Sequence, residues 1–338
     1  MSEALLSEWQ SFMNGSFSVA AETVASTTTY PCPSKIHLST QTFITQLNRN
    51  IDLKEMFWGL ELIPYDRHEI GISKKQMKFT STTQEEVDDL MVRMDGYPVK
   101  QVFVIRKVHT PDKFKDIRKV SIGMSKKDLA PNRVKPKGAF FNCLVVNVRI
   151  AVEKGVFKDH HVKLFNTGNV EIPGIQDSAH VPLIMEVVEK CVRRIHPINR
   201  VPDCKIVLIN SHFNIHFFIN RDKLYMILRQ KYGVAAVYDP CSYPGVQCKL
   251  YYTPELEIVT RANPFQSSSV SVMIFRTGSV LVVGKCNEDV IHAMYAYLNK
   301  IFMDNFAEVA DRSIDVKLVV KKEKKQKKWI IKKNEYKK

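Results

Sequence analysis

Two hydrophobic rhythms alternate along the chain. Positions 38–47, 71–79, 99–108, 140–152, 205–219 and 246–252 are rich in β-branched and aromatic residues and predict strands. Positions 51–62 place Ile51, Leu53, Met56, Phe57 and Leu60 at helical spacing behind Asp52, and 220–232 place Leu224, Ile227, Leu228 and Tyr232 in the same way. Two further amphipathic stretches, 184–195 and 289–302, read as helices. A Tyr238-Asp239-Pro240 turn leads through Gly245 into the strand at 246.

The order of elements is duplicated. Phe165-Asn166-Thr167-Gly168-Asn169-Val170 with Gly174 matches Phe275-Arg276-Thr277-Gly278-Ser279-Val280 with Gly284, so both segments read F-x-T-G-x-V-x-x-x-G. Thr-Gly at the centre predicts the tip of a hairpin, and a helix follows each copy. Lys75 lies much farther from Phe165 than Lys249 does from Phe275, so the first copy carries an insertion, at about 80–159. The expected organisation is a flexible arm (1–34, with a short helix near 5–12), a first repeat (35–199), a second repeat (200–306) and a linker with a Lys-rich tail (307–338). In the second hairpin Ile274, Val280 and Val282 share one face, while Met273, Phe275, Leu281 and Val283 share the other. Both faces are apolar. Helices cover one, and the other needs either a second protein layer or a ligand groove whose floor is apolar.

Composition bounds the chemistry. Of 338 residues 45% are hydrophobic and 25% charged, enough to build a core and too structured for wholesale disorder. Fifty Lys and Arg against 35 Asp and Glu leave +15, which favours polyanions or acidic protein surfaces as partners. Residues 317–338 hold 11 Lys and two Glu, a stretch that reads either as a solvated arm or as one that attracts phosphate without reading sequence. No apolar run approaches the roughly 18 residues of a membrane span, and acidic residues near the amino end argue against a secretory signal, so the chain is expected inside the cell. Seven scattered cysteines without a C-x-x-C pair read as reduced thiols.

Other motifs point nowhere further. His212-x-x-x-His216 lies on a predicted strand, where i and i+4 are about 13 Å apart, and Cys241 and Cys248 have no short partner pair, so no metal and no cofactor is expected. His160-His161 reads as a solvated turn before the hairpin. Met94-Asp95-Gly96 has Arg93 where a nucleotidyl transferase needs its lysine, and no phosphate loop or serine elbow appears, so no enzymatic activity is expected.

The second half resembles the TATA-box-binding protein family. The resemblance rests on Tyr238-Asp239-Pro240-x-x-Tyr243-Pro244-Gly245-Val246 leading into a strand, then Met273-Ile274-Phe275-x-Thr277-Gly278-x-Val280 with Gly284, then a helix. Spacing and lysine-rich appendages are similar to divergent relatives encoded by large nucleocytoplasmic DNA viruses. The resemblance implies an α+β saddle: two pseudo-repeats form one curved antiparallel sheet with helices on the convex face and DNA on the concave face. It implies aromatic wedges that unstack base steps in the minor groove and kink the duplex. By motif matching these are Tyr243 and Phe275, with Phe165 in the first copy. Met273, Leu281, Val283 and Asn210 form the groove floor, and Lys75, Lys249, Thr277 and Lys285 meet phosphate. The second wedge of the first copy maps near Glu69 or Ile70, where no aromatic stands. Phe165 shares its face with Lys163, Glu171 and Pro173, and Lys163 opposite Glu171 predicts a cross-strand ion pair.

The implied partners are promoter double-stranded DNA, an initiation factor B-like protein and RNA polymerase. The implied role is transcription initiation by a protein monomeric on DNA, in the host nucleus, a cytoplasmic viral factory or the virion. The rival reading keeps the fold but uses the concave face as a protein-interaction scaffold, with the inserted segment or another protein as occupant.

Overall fold

The computed structural model describes residues 29–110, 113–129, 140–199, 201–260 and 268–311. Most of the arm and the Lys-rich tail lie outside the described residues. The strands are β1 (His37–Gln46), β2 (Gly71–Ser81), β3 (Lys100–Thr110), β4 (Lys113–Gly123), β5 (Cys143–Glu153), β6 (Val156–Phe165), β7 (Asn169–Ile175), β8 (Lys205–Asn214), β9 (Ala235–Val237), β10 (Gly245–Tyr252), β11 (Ile258–Val259), β12 (Ser268–Phe275) and β13 (Ser279–Gly284). The helices are α1 (Leu53–Gly59), α2 (Gln84–Asp95), α3 (His180–Arg193), α4 (Arg221–Gln230), α5 (Glu288–Asp304) and α6 (Phe306–Val309). One antiparallel sheet runs β11-β10-β12-β13-β8-β1-β7-β6-β5-β2-β4-β3, with β9 also paired to β10.

The duplication holds at the level of single hydrogen bonds. At one hairpin tip Leu47 N–H donates to the Gly168 carbonyl and Ile51 N–H to that of Asn166; at the other Ile215 donates to Gly278 and Ile219 to Arg276. Asp52 caps α1 through its carboxylate, and Asn220 caps α4 through its amide oxygen. Gly168 and Gly278 both adopt left-handed backbone, φ +83° and +77°. A Cβ at either would collide with a carbonyl, that of Arg49 or of Phe217. The copies meet at the centre, where β1 pairs with β8.

Alternate strand residues build a core under the helices. In the second half Val246, Cys248, Leu250, Val270, Val272, Ile274, Val280 and Val282 are buried with Leu224 and Ile227 of α4 and Ile291, Met294 and Leu298 of α5. In the first half Leu144, Val146, Val148, Val162, Leu164, Val170 and Ile172 pack with α1 and α3 residues, and Leu90 and Met94 bring in α2. The other face carries the remaining alternate side chains and is called the open face below.

Register redraws the insertion. Cys143 of β5 pairs with Phe165, and Gly245 of β10 pairs with Phe275, so β5 sits where β10 sits. On the far side, Lys74, Lys75 and Gln76 of β2 pair with Asn147, Val146 and Val145, while Ala235, Ala236 and Val237 of β9 pair with Lys249, Cys248 and Gln247. Thus β2 takes the place of β9, not of β10. What the first copy adds stands between β2 and β5, where the second copy has only its turn from β9 into β10. The sequence reading, about 80–159, took in two strands that belong to the duplicated sheet. Alternating residues announce a strand but not its neighbour. The added strands β4 and β3 widen the first half to an edge where Phe103, Val104 and Ile105 are exposed.

His160 and His161 also differ from expectation. They lie within β6, not in a turn. The His160 ring sits 5.1 Å from that of His180 under α3, while His161 points to the other face. Burial, then the neighbouring His180, pushes His160 down to about 4, so it is neutral at physiological pH.

Candidate nucleic-acid interface

The open face of the second half is apolar at its centre and basic at its margin. Register puts Met273 beside Leu281 and Ser271 beside Val283 on β12 and β13, and these apolar side chains are only half-buried. At the edge of this patch Tyr243 and Phe275 stand with ring centroids 5.9 Å apart. Their geometry depends on Gly245, which pairs with Phe275 and where a Cβ would press to 3.1 Å from the Tyr243 ring and 3.2 Å from the Phe275 ring. Lys249 is exposed on the same face, four residues along β10, and Lys285 is exposed just beyond the end of β13. Thr277 is exposed at the hairpin tip, its hydroxyl 3.3 Å from that of Ser279. Asn210 lies across from Val283, and its amide donates to the Thr40 hydroxyl at 3.0 Å. That bond ties a floor position of one repeat to the other.

The first half places its groups differently. Phe165 is half-buried on the open face, as Phe275 is. Lys163 and Glu171 pair directly across the strands, Nζ to Oε1 2.6 Å, as their spacing predicts. An unpaired Glu171 would repel the acceptor-rich minor-groove edge of A·T pairs; the ammonium beside it offsets that charge.

An aromatic residue also stands at the place of the missing first-half wedge, a position the sequence reading passed over. Because Cys143 occupies the place of Gly245, Phe141 occupies the place of Tyr243, two residues before it. Phe141 is 60% exposed, and the Lys78 ammonium stands 3.5 Å from its ring centroid. Phe140 lies beside it with Lys163 Nζ 5.0 Å from its ring. The signal was the Phe140-Phe141 pair just before a strand, hidden because β2 was matched to β10. Ile70, the expected neighbourhood of this wedge, stands before β2 and away from the hairpin.

Lys75 requires a correction. It is 1% exposed and faces the helices, where its ammonium donates to the Leu60 carbonyl at 2.7 Å and stands 5.3 Å from the rings of Phe57 and Tyr97. It meets no phosphate there. Burial pushes it down from 10.5 to about 8. A folded-state pKa below the unfolded one weakens the fold while both states are protonated, below about 8, and that penalty fades as pH rises toward 10.5. Lys75→Met is therefore expected to raise stability at pH 7 by about 1–3 kcal/mol, less what the unpaired Leu60 carbonyl costs. Denaturant melts of the two proteins should converge by pH 10; a gain that is constant with pH would contradict the assignment.

Part of the first-half open face is covered from within the chain. After β4 a 3-10 turn, Lys126–Leu129, descends onto it. Asp128 reaches Lys74 at 2.7 Å and accepts from the Ser125 amide at 2.7 Å and hydroxyl at 2.6 Å, while Lys127 Nζ lies 3.0 Å from His161 Nε2. Burial raises the Asp128 carboxyl, but these bonds outweigh it and hold the group below the usual carboxylate range. Asn147 and Arg149, also on this face, are 5% and 6% exposed, and Arg149 is locked by Asp159 and the carbonyls of Tyr65 and Arg67. Among the described residues no group of three or more His, Cys, Asp or Glu could hold a metal ion, and no helix is long and apolar enough to cross a membrane.

No family model matches the chain. A curated relative, the TATA-box-binding protein-like protein of Acanthamoeba polyphaga mimivirus, is 24% identical over 164 residues. That match spans 44% of this chain and 44% of the relative, so less than half the length of either. Among solved structures, Methanococcus jannaschii TBP matches with a TM-score of 0.41 and 17% identity, over 79% of this chain and 98% of that one. The resemblance read from the sequence, to TATA-box-binding proteins and their divergent viral relatives, thus has a counterpart of that kind.

Proposed function

We propose, starting from the resemblance to TATA-box-binding proteins, that this chain binds double-stranded promoter DNA on its open sheet face, bends it, and serves transcription initiation. The observation that carries this reading is the Tyr243–Phe275 pair, standing at the margin of an apolar floor of Met273, Leu281 and Val283 with Lys249 at its flank. An apolar floor flanked by aromatic rings and a lysine suits a partner that is both apolar and anionic, and a minor groove offers both base edges and phosphates. Aromatic side chains there unstack a base step, a distortion of a few kcal/mol that is offset by contacts the bent duplex makes possible. The mechanism is non-covalent. The helices, on the opposite face, remain free to receive an initiation factor B-like protein and RNA polymerase, with the chain a monomer on DNA in the nucleus, a viral factory or the virion.

The deciding experiment is duplex binding with an end-to-end distance readout of bending. Wild-type protein should shorten the distance. In the first half, Phe141→Ala with Phe165→Ala should reduce the bend by less than half, because Lys163, Glu171 and the turn at Lys126–Leu129 already make that half a poorer floor. A loss of bending equal to that from the second-half wedge would contradict this ranking. One observation favours the scaffold reading: the inserted segment already occupies part of the open face through Asp128 and Lys127. Wild-type protein that neither binds nor bends a duplex would move the assignment there.

A further inference from the structure

Deepening the duplex reading, on which it rests, we infer that Lys74 is the first-half counterpart of Lys249 and that Asp128 holds its ammonium as an internal substitute for a phosphate, so that the turn Lys126–Leu129 is a displaceable cover over an anion site. The argument starts from register. In the second half one row across the sheet runs Ala235, Lys249, Ser271, Val283. The equivalent row in the first half begins Lys74, Asn147, His161. Asn147 therefore stands where Lys249 stands, and the positive charge has moved one strand outward, to the residue directly opposite. Neighbouring strands are about 4.8 Å apart, a distance the flexible lysine stem spans easily. The copies thus conserve a charge in space that they do not conserve in sequence.

What differs is occupancy. Lys249 is exposed, whereas the Lys74 side chain is 11% exposed and its ammonium bonds the Asp128 carboxylate. Asp128 in turn takes both donors of Ser125, so three donors converge on its carboxylate as they would on a bound phosphate. Lys127 from the same turn stands against His161, the third residue of the row. One short element thereby closes the first-half row, and it does so with a carboxylate at the lysine, where nucleic acid would place its own anion. A duplex that reaches this row must lift the turn, exchanging one anion for another at Lys74 and freeing Lys127 beside it.

The test uses the full chain and a labelled mixed-sequence duplex. Asp128→Asn keeps shape and removes charge; it should bind about fivefold more tightly, because the phosphate no longer competes with a carboxylate for Lys74, while the log–log salt slope stays near that of the wild type, both complexes making the same phosphate contacts. Adding Lys74→Gln to Asp128→Asn should cancel the gain. Independently, saturating duplex should speed hydrogen exchange at the Ser125 amide of the wild type, because its acceptor leaves with the cover. Unchanged affinity in Asp128→Asn, a gain that survives Lys74→Gln, or a Ser125 amide indifferent to duplex would each overturn the inference. If wild type and Asp128→Asn alike fail to bind duplex, the functional reading falls. If wild type binds and Asp128→Asn merely equals it, only the cover falls.

Discussion

Phe275→Ala is expected to lose most of the duplex bend and to weaken binding by about 2–3 kcal/mol, roughly 30-fold to 150-fold, the scale of one unstacked base step and the contacts it opens. Its ring is half-buried beside Tyr243, so truncation also removes local apolar support, and melting must first show that the variant folds. Tyr243→Ala should reproduce the loss of bending with less effect on the fold, since this residue stands on the turn before β10 rather than within the sheet. The double variant should lose little more than Phe275→Ala alone, because two rings in contact act on one step. Folded Phe275→Ala with wild-type affinity and bend would remove the wedge mechanism and leave the scaffold reading.

A second large effect is expected at the hairpin tips. Gly168→Val and Gly278→Val each place a branched side chain at positive φ and against a carbonyl, and each threatens the hydrogen bond that the Leu47 or Ile215 N–H donates to the tip glycine carbonyl. Backbone strain of roughly 1–2 kcal/mol and a lost hydrogen bond of about 1 kcal/mol add to the collision, so each variant should lose roughly 3 kcal/mol. Thermal midpoints should fall by roughly 4–5 °C. Because the two tips make the same bonds, the two losses should agree within about 1 kcal/mol. A loss below about 1 kcal/mol at either tip would mean that the matching motifs do not carry matching strain.

The repeats were legible in the sequence because their signal is local. F-x-T-G-x-V needs a glycine at positive φ and alternation on either side, and both requirements sit within ten residues. The α1 start was legible for the same reason, through Asp52, and α4 through the helical spacing of Leu224, Ile227 and Leu228. Pairing partners were not. Whether β2 or β5 lies beside β6 depends on a closure across the whole added segment, which no short pattern encodes. One consequence was the placing of Lys75 on the open face. Adjacent strand residues face opposite sides, so an error of one position moves a lysine from the open face to the core. The other consequence was Phe141, invisible while its strand was assigned to the insertion, and plain once Cys143 is set beside Phe165.

The unequal halves bear on direction. A duplex backbone looks the same from either end, and a saddle of two like repeats can sit on it in two orientations of nearly equal energy. Polarity then rests on small differences, since about 1.4 kcal/mol separates a tenfold preference from none. Here β4 and β3 widen one end only, and the turn bearing Asp128 rests on that end only. Turning the molecule round on its site would exchange an open, apolar half for a covered, ionic one. On the proposed duplex this asymmetry would favour one orientation, and a polymerase recruited to one flank would then meet the site in a fixed direction.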